Sequence, residues 1–95
     1  MQAIYNIAEI CHQHGIENAI LSPGSRCAPL VFAFSNHPSI NCKVIPDERS
    51  AAYMALGMAI ATKKPIVLVC TSGTASLNYA PAIAEAFYQE IPLLV

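Results

Sequence analysis

The chain has 95 residues, of which 55% are hydrophobic and 12% charged, with a formal net charge of −1. A chain of this length forms at most one small domain, and a typical soluble domain carries about 25% charged residues. The basic residues are scattered, which argues against nucleic acid or an anionic membrane as the main partner. We therefore expect apolar surface that other parts of a longer protein or a partner subunit cover.

The sequence predicts neither a membrane span nor export. No run of about 18 apolar residues occurs, so no membrane-spanning helix is expected. The first residues lack the positively charged region of a signal peptide. The four cysteines, at positions 11, 27, 42 and 70, fit no zinc-binding spacing. Reduced, buried thiols in a cytoplasmic protein are the simplest interpretation.

Helical and strand patterns alternate along the whole chain. In order, the sequence predicts a helix ending at Gly15, a strand at 18–21, a helix at 27–35, a strand at 40–44, a helix from 48 to about 62, a strand at 66–70, a helix from 75 to about 90 and a strand at 92–95. Such alternation with short loops is typical of a parallel sheet with right-handed crossovers. The predicted fold is α/β, with three layers in which helices flank a parallel sheet.

Individual residues indicate where several predicted helices begin and how they pack. Pro29 is tolerated only in the first turn of a helix, so Arg26 must lie at or near the mouth of the second helix. Asp47 is expected to cap the third helix. Gly57, inside that helix, predicts close packing against a neighbour at some cost in helix propensity.

The last helix and strand predict that the chain is part of a larger domain. Between 75 and 87 only Glu85 is charged, and a helix that is apolar around most of its circumference is normally buried on several sides. The sequence then stops within an apolar strand. We expect residues 1–95 to be the N-terminal part of such a domain.

Three loops are expected to share one edge of the sheet. They are residues 22–26, 46–49 and 71–74, and each follows a predicted strand. Parallel strands point their carboxyl ends at the same edge, where ligands bind near helix N-termini. Arg26 and Glu48, far apart in sequence, should therefore face one crevice.

Each of these loops has a chemical and a purely structural interpretation. Arg26 and the free N–H groups of a helix mouth would bind a carboxylate or phosphate, or form a turn with a solvated arginine. Glu48 would act chemically or only stabilise a helix start. Gly73 would let a flat ring approach, or complete an ordinary turn. Three residues in predicted helices are interpreted as packing or surface residues: His12, His14 and Tyr53.

The three loops together resemble one family of enzymes. The matching segments are Ser-Pro-Gly-Ser-Arg at 22–26 with Pro29 and Leu30, Asp-Glu-Arg-Ser at 47–50 with Ala-Leu-Gly at 55–57, and Thr-Ser-Gly-Thr-Ala at 71–75 with Asn78, Pro81, Glu85 and Ala86. In this order and spacing they resemble the 2-succinyl-5-enolpyruvyl-6-hydroxy-3-cyclohexene-1-carboxylate synthases of menaquinone biosynthesis. The resemblance spans nearly the whole chain.

The resemblance implies a three-domain transferase that uses thiamine diphosphate and magnesium. Such an enzyme decarboxylates 2-oxoglutarate and adds the succinyl-semialdehyde unit to isochorismate. The cofactor would lie between the pyrimidine-binding domain of one subunit and the diphosphate-binding domain of another, so a homodimer or homotetramer is implied. This chain would be a truncated pyrimidine-binding domain. It would be inactive alone, because it lacks the Gly-Asp-Gly motif that holds magnesium and diphosphate.

The resemblance also implies roles for single residues. Glu48 matches the cofactor-activating glutamate, which hydrogen-bonds the pyrimidine ring nitrogen and favours the imino tautomer that generates the ylide. Ser25 and Arg26 match substrate-binding positions, with Arg26 on a carboxylate. The residues that match the loop beside the pyrimidine ring are Thr71, Ser72 and Gly73. No metal ligand is expected in this chain.

Two other interpretations stay open on the sequence. Another thiamine-diphosphate enzyme, of the acetolactate synthase or oxalyl decarboxylase type, would share Glu48 but not the Ser-Arg pair at the helix mouth. A non-catalytic α/β binding or assembly module would bind an anion through Arg26 and use Glu48 only to support a helix. The departures from the resembled family are Cys27 and Ala28, where small hydroxyl residues are common.

Overall fold

Helices and strands alternate in the computed structural model, which describes residues 2–95. In chain order the elements are α1 (Gln2–Gln13), β1 (Asn18–Leu21), α2 (Ala28–Ser35), β2 (Asn41–Val44), α3 (Glu48–Thr62), β3 (Ile66–Val69), α4 (Thr74–Leu77), α5 (Ala80–Gln89) and β4 (Leu93–Leu94). The predicted order of helices and strands is confirmed, apart from the division of the last helix into α4 and α5.

The strands form one parallel sheet in the order β2-β1-β3-β4. β1 lies between β2 and β3, and Leu21 is opposite both Val44 and Val69. The chain first builds the sheet outward from β1 to β2 and then returns to place β3 on the other side of β1. Open α/β sheets bind ligands at such a switch point, outside the carboxyl ends of the strands.

Both faces of the sheet are covered by helices. Leu21 and Val67 belong to the core shared with α1 and α2, whereas Ile20 and Leu68 belong to the core shared with α3 and α5. All of β3 is buried, as an unbroken apolar strand between two helical layers should be. The predicted three-layer α/β fold is confirmed.

The predicted start of α3 is also confirmed. The Asp47 carboxylate accepts hydrogen bonds from the backbone N–H of Ser50 at 3.0 Å and from its hydroxyl at 2.6 Å. These bonds satisfy an N–H that lacks a partner within the helix. They also lower the pKa of Asp47.

The prediction of one continuous helix after the third loop is wrong. α4 ends at Leu77, and α5 begins at Ala80 with a proline in its first turn, Pro81. Proline has no N–H to donate, and its ring clashes with the carbonyl four residues earlier, which here is that of Leu77. The helix therefore stops and restarts.

The predicted close packing around Gly57 is not found within residues 2–95. A Cβ atom at this position would meet no atom within 4 Å, and Gly57 lies on the exposed side of α3. Within residues 2–95, no neighbouring atom requires a residue without a side chain at this position.

The expected apolar surface is present. Phe87 and Tyr88 on α5 are 74% and 82% exposed, and Ile10 and Phe32 are also largely exposed. α5 buries only small residues, Ala82 and Ala86. None of the helices within residues 2–95 has both the length and the hydrophobicity to cross a bilayer.

Candidate functional site at the carboxyl edge of the sheet

The three predicted loops lie side by side because the sheet hydrogen bonding continues past the strand ends. The Ser22 N–H donates to the Val69 carbonyl at 2.8 Å, and the Ile45 N–H donates to the Leu21 carbonyl at 2.9 Å. Each bond joins the first residue after one strand to the last residue of a neighbouring strand. The segments after β1, β2 and β3 therefore leave the sheet next to one another.

The first and third loops are in direct contact. Arg26 Nη1 donates a hydrogen bond to Ser72 Oγ at 3.3 Å, across 46 residues of sequence. Gly24 packs so closely on Thr71 that a Cβ atom at position 24 would lie 2.9 Å from Thr71 Cβ. The Ser-Pro-Gly-Ser-Arg loop thus rests on the Thr-Ser-Gly-Thr loop, which places the Arg26 guanidinium over the end of β3.

Glu48 reaches the same strand end from the second loop. It is half-buried in the first turn of α3. Burial is the main cause that raises the pKa of the Cys70 thiol, and the charge of Glu48 contributes in the same direction. Glu48 therefore lies near the residue that follows β3, while Arg26 is bonded to Ser72 two residues further on. Arg26 and Glu48 thus lie at the same carboxyl edge of the sheet.

Within residues 2–95, the carboxylate of Glu48 has no side-chain hydrogen bond or ion pair. The ion pairs within residues 2–95 are His37 with Glu9 and Lys64 with Glu17, and Glu48 takes part in no side-chain hydrogen bond of the described chain. An unpaired, half-buried carboxylate at a sheet edge is available to a ligand that offers an N–H group.

The remaining predicted residues lie on the same edge. Ser25 is exposed next to Arg26, and Thr71 is half-buried beneath Gly24. Gly73 has a φ of 80°, which favours glycine, and a Cβ there would meet nothing within 4 Å. The third loop therefore leaves open space beside its backbone.

The family described as thiamine pyrophosphate enzyme, N-terminal TPP binding domain, matches residues 1–95. The chain belongs to this family.

Three relatives of this chain share one name. A protein of Cytophaga hutchinsonii is 64% identical over 95 residues, which is all of this chain and 17% of the relative. Relatives from Flavobacterium psychrophilum (57% over 90 residues, 95% of this chain, 16% of the relative) and Porphyromonas gingivalis (54% over 88 residues, 93% and 15%) follow. All three are named 2-succinyl-5-enolpyruvyl-6-hydroxy-3-cyclohexene-1-carboxylate synthase. The resemblance inferred from the three loops is confirmed, and the chain spans about a sixth of each relative.

A solved structure shows the same fold. Benzoylformate decarboxylase from Polynucleobacter necessarius superimposes with a TM-score of 0.82 at 19% identity, over 95% of this chain and 17% of that protein. At this identity the match shows that the two proteins share a fold over these residues.

Two residues at the edge of this N-terminal TPP binding domain were not predicted as functional from the sequence. The hydroxyl of Ser22, which is 1% exposed, donates to the Ile45 carbonyl at 2.6 Å. Tyr79 is 0% exposed, and within residues 2–95 its hydroxyl has no hydrogen-bond partner. A hydroxyl residue directly after an apolar strand was the available signal for Ser22. No local pattern marks Tyr79, because its burial depends on the break between α4 and α5.

Cys27, a departure from the resembled family, keeps the first loop closed. Its thiol donates to the Gly24 carbonyl at 3.4 Å and to the Ser22 carbonyl at 3.7 Å. A thiol is a weak donor, with longer bonds than a hydroxyl. Cys27 thus bonds within the first loop through its thiol.

Proposed function

We propose that this chain is the N-terminal part, residues 1–95, of the pyrimidine-binding domain of a thiamine-diphosphate-dependent synthase. The full-length enzyme would decarboxylate 2-oxoglutarate and add the succinyl-semialdehyde unit to isochorismate in menaquinone biosynthesis. The observation that carries the proposal is that Arg26, bonded to Ser72 after β3, and Glu48, in the first turn of α3, lie at the same carboxyl edge of the sheet. The shared name of relatives up to 64% identical supports this choice of reaction.

The residues of the site fit the pyrimidine ring of thiamine diphosphate. The half-buried Glu48 carboxylate is unpaired within residues 2–95, so it is free to share a proton with a ring nitrogen. The open space at Gly73 gives a flat ring access to the backbone of the third loop, and Thr71 and Ser72 border that space. When bound, the cofactor supplies the nucleophilic carbon and the electron sink that decarboxylation requires.

Ser25 and Arg26 bind the substrate in this proposal. Arg26 carries a planar guanidinium that grips a carboxylate through two parallel hydrogen bonds. Its bond to Ser72 Oγ fixes the guanidinium above the third loop. One N–H group of the five is used in that bond, so the others stay available for a substrate carboxylate.

The rest of the assembly lies outside these residues in the proposal. Within residues 2–95, no group of three or more His, Cys, Asp or Glu side chains could hold a metal ion. Mg²⁺ and the diphosphate would be held by another domain, contributed by a second subunit of a cytoplasmic homodimer or homotetramer. The chain alone would then be inactive.

The experiment is a substrate assay of the full-length protein with thiamine diphosphate and Mg²⁺. We expect turnover of 2-oxoglutarate with isochorismate and none with pyruvate. Turnover of pyruvate alone would instead identify an acetolactate synthase or decarboxylase type of enzyme. Failure to bind the cofactor at all would favour a non-catalytic module.

A further inference from the structure

Ser22 connects the ends of three strands. Its N–H donates to the Val69 carbonyl of β3 at 2.8 Å, and its hydroxyl donates to the Ile45 carbonyl just beyond β2 at 2.6 Å. Within residues 2–95, Ser22 is the one polar or charged residue that is buried. The Ile45 carbonyl, three residues before Glu48, is therefore held in place by a short, partly buried hydrogen bond.

The hydroxyl of Tyr79 is a buried donor without an acceptor within residues 2–95. It is the one buried side-chain polar atom without a hydrogen-bond partner within residues 2–95. A buried, unpaired polar group destabilises a fold, and phenylalanine would fill the same space without that penalty. Burial raises the pKa of Tyr79, so the phenol keeps its proton at neutral pH and remains a donor.

Both residues contact the segment that leads into α3 or the first turns of that helix. Tyr79 packs in the same core cluster as Ala51 and Ala52, which follow Glu48 on α3. Ile45 and Cys70 pack against this cluster, and the Ser22 hydroxyl is bonded to the Ile45 carbonyl. Burial and then Cys70 raise the pKa of Tyr79, and the Ser22 hydroxyl lowers it. Ser22, Cys70 and Tyr79 therefore all adjoin the segment that leads into the first turn of α3, where Glu48 lies.

We propose that Ser22 and Tyr79 are positioning residues for Glu48. Ser22 fixes the segment that leads into α3 by holding the Ile45 carbonyl. The hydroxyl of Ser22 donates only one hydrogen bond, so its lone pairs remain free to accept one. Tyr79 donates to that oxygen when a ligand occupies the edge, because hydrogen bonds in such sites tighten on complex formation. The inference rests on the proposed cofactor-binding role of Glu48.

The first test is Tyr79→Phe in the full-length protein, with Tyr53→Phe as the control. Tyr53 lies on α3 and is 47% exposed, so the control removes an exposed hydroxyl of the same chemical type. The measurements are the rate at which the C2 proton of bound thiamine diphosphate exchanges with deuterium, kcat, KM for 2-oxoglutarate, cofactor Kd by calorimetry, and Tm. We expect exchange and kcat to fall about tenfold, since small displacements of a reacting group cost this much or more. KM should stay unchanged, and Tm should stay equal or rise.

The second test is Ser22→Ala, with Ser35→Ala at the exposed end of α2 as the control. This variant leaves the Ile45 carbonyl unpaired, so Tm should fall as well as exchange. The double variant Ser22→Ala/Tyr79→Phe separates positioning from stability. If Tyr79 acts through Ser22, the double variant exchanges no more slowly than Ser22→Ala alone, because effects within one network are not additive.

Several outcomes decide the inference. An unchanged exchange rate and kcat in Tyr79→Phe would overturn the positioning role. A lower exchange rate that comes with a raised KM and a lowered Tm would also overturn it. Normal exchange in Glu48→Gln would overturn both this inference and the proposed function. If 2-oxoglutarate is not turned over but Tyr79→Phe still slows exchange, the substrate assignment fails and the positioning role stands.

Discussion

Glu48 is the residue on which the proposed chemistry depends. Replacing it with glutamine keeps the size of the side chain and its helix propensity but removes the carboxylate that shares a proton with a ring nitrogen. In the full-length protein, Glu48→Gln should lower kcat by about 10²- to 10⁴-fold, the usual contribution of a positioned acid or base. Circular dichroism should show an unchanged fold. The matched control is Glu85→Gln on α5, which should keep full activity, and an active Glu48→Gln variant would contradict the assignment.

Replacement by alanine should have opposite effects on stability at Gly24 and Gly57. Gly24→Ala would drive a Cβ to 2.9 Å from Thr71 Cβ, which should displace the third loop and destabilise the protein by about 1–3 kcal/mol. Gly57→Ala places the same methyl group in open space on α3, so it should stabilise the helix by about 0.5–1 kcal/mol. Hydrogen exchange of the third loop and of α3 would check both. A stabilising Gly24→Ala would show that the two loops are not packed as described.

At the scale of single elements, the start of α3 links stability to pH. The Asp47 carboxylate accepts two bonds from Ser50, which lower its pKa from the ordinary value of 3.8. A group with a lowered folded-state pKa contributes stability that is present above its unfolded pKa and lost as the pH falls through the folded one. Asp47→Ala should therefore weaken amide protection in the first turn of α3 at pH 7, and the difference from wild type should shrink below pH 3.8. Asp47→Asn, which keeps an acceptor but not the charge, should lose part of this protection at pH 7 and differ little from wild type below pH 3.8. A difference that does not depend on pH would contradict the role of the charged carboxylate.

The elements also show which features a sequence can predict. The Asp47 cap was predictable because the acceptor and its donor lie three residues apart, and the strands were predictable from short apolar runs between turns. The break before α5 does not follow from the apolar pattern, because that pattern continues through Pro81 from α4 into α5. The meaning of Gly57 could not be predicted, since its surroundings depend on which elements pack against α3. The three loops of the site follow from strand order, whereas the burial of Tyr79 depends on the whole core.

At the scale of the whole molecule, the chain leaves apolar surface uncovered at one side of the sheet. β4 has only two residues, and a shallow cavity of about 180 Å³ beside it is lined by residues that include Ile83, Phe87 and Val95. Patches of this kind usually contact another part of a protein or a partner. The curated relatives are several times longer than this chain, so most of their residues lie outside the part that matches it.

This surface should govern the behaviour of residues 1–95 expressed alone. We expect the isolated chain to bind the dye ANS and to sediment as species larger than 10.2 kDa, because Phe87 and Tyr88 are 74% and 82% exposed. Replacing both with lysine should reduce dye binding and shift the chain toward the monomer. The control carries lysine at Ser35 and Ser39, two exposed positions away from the cavity, and so adds the same net charge. If the control restores the monomer equally well, net charge and not the apolar surface drives association, since charge alone also keeps proteins apart.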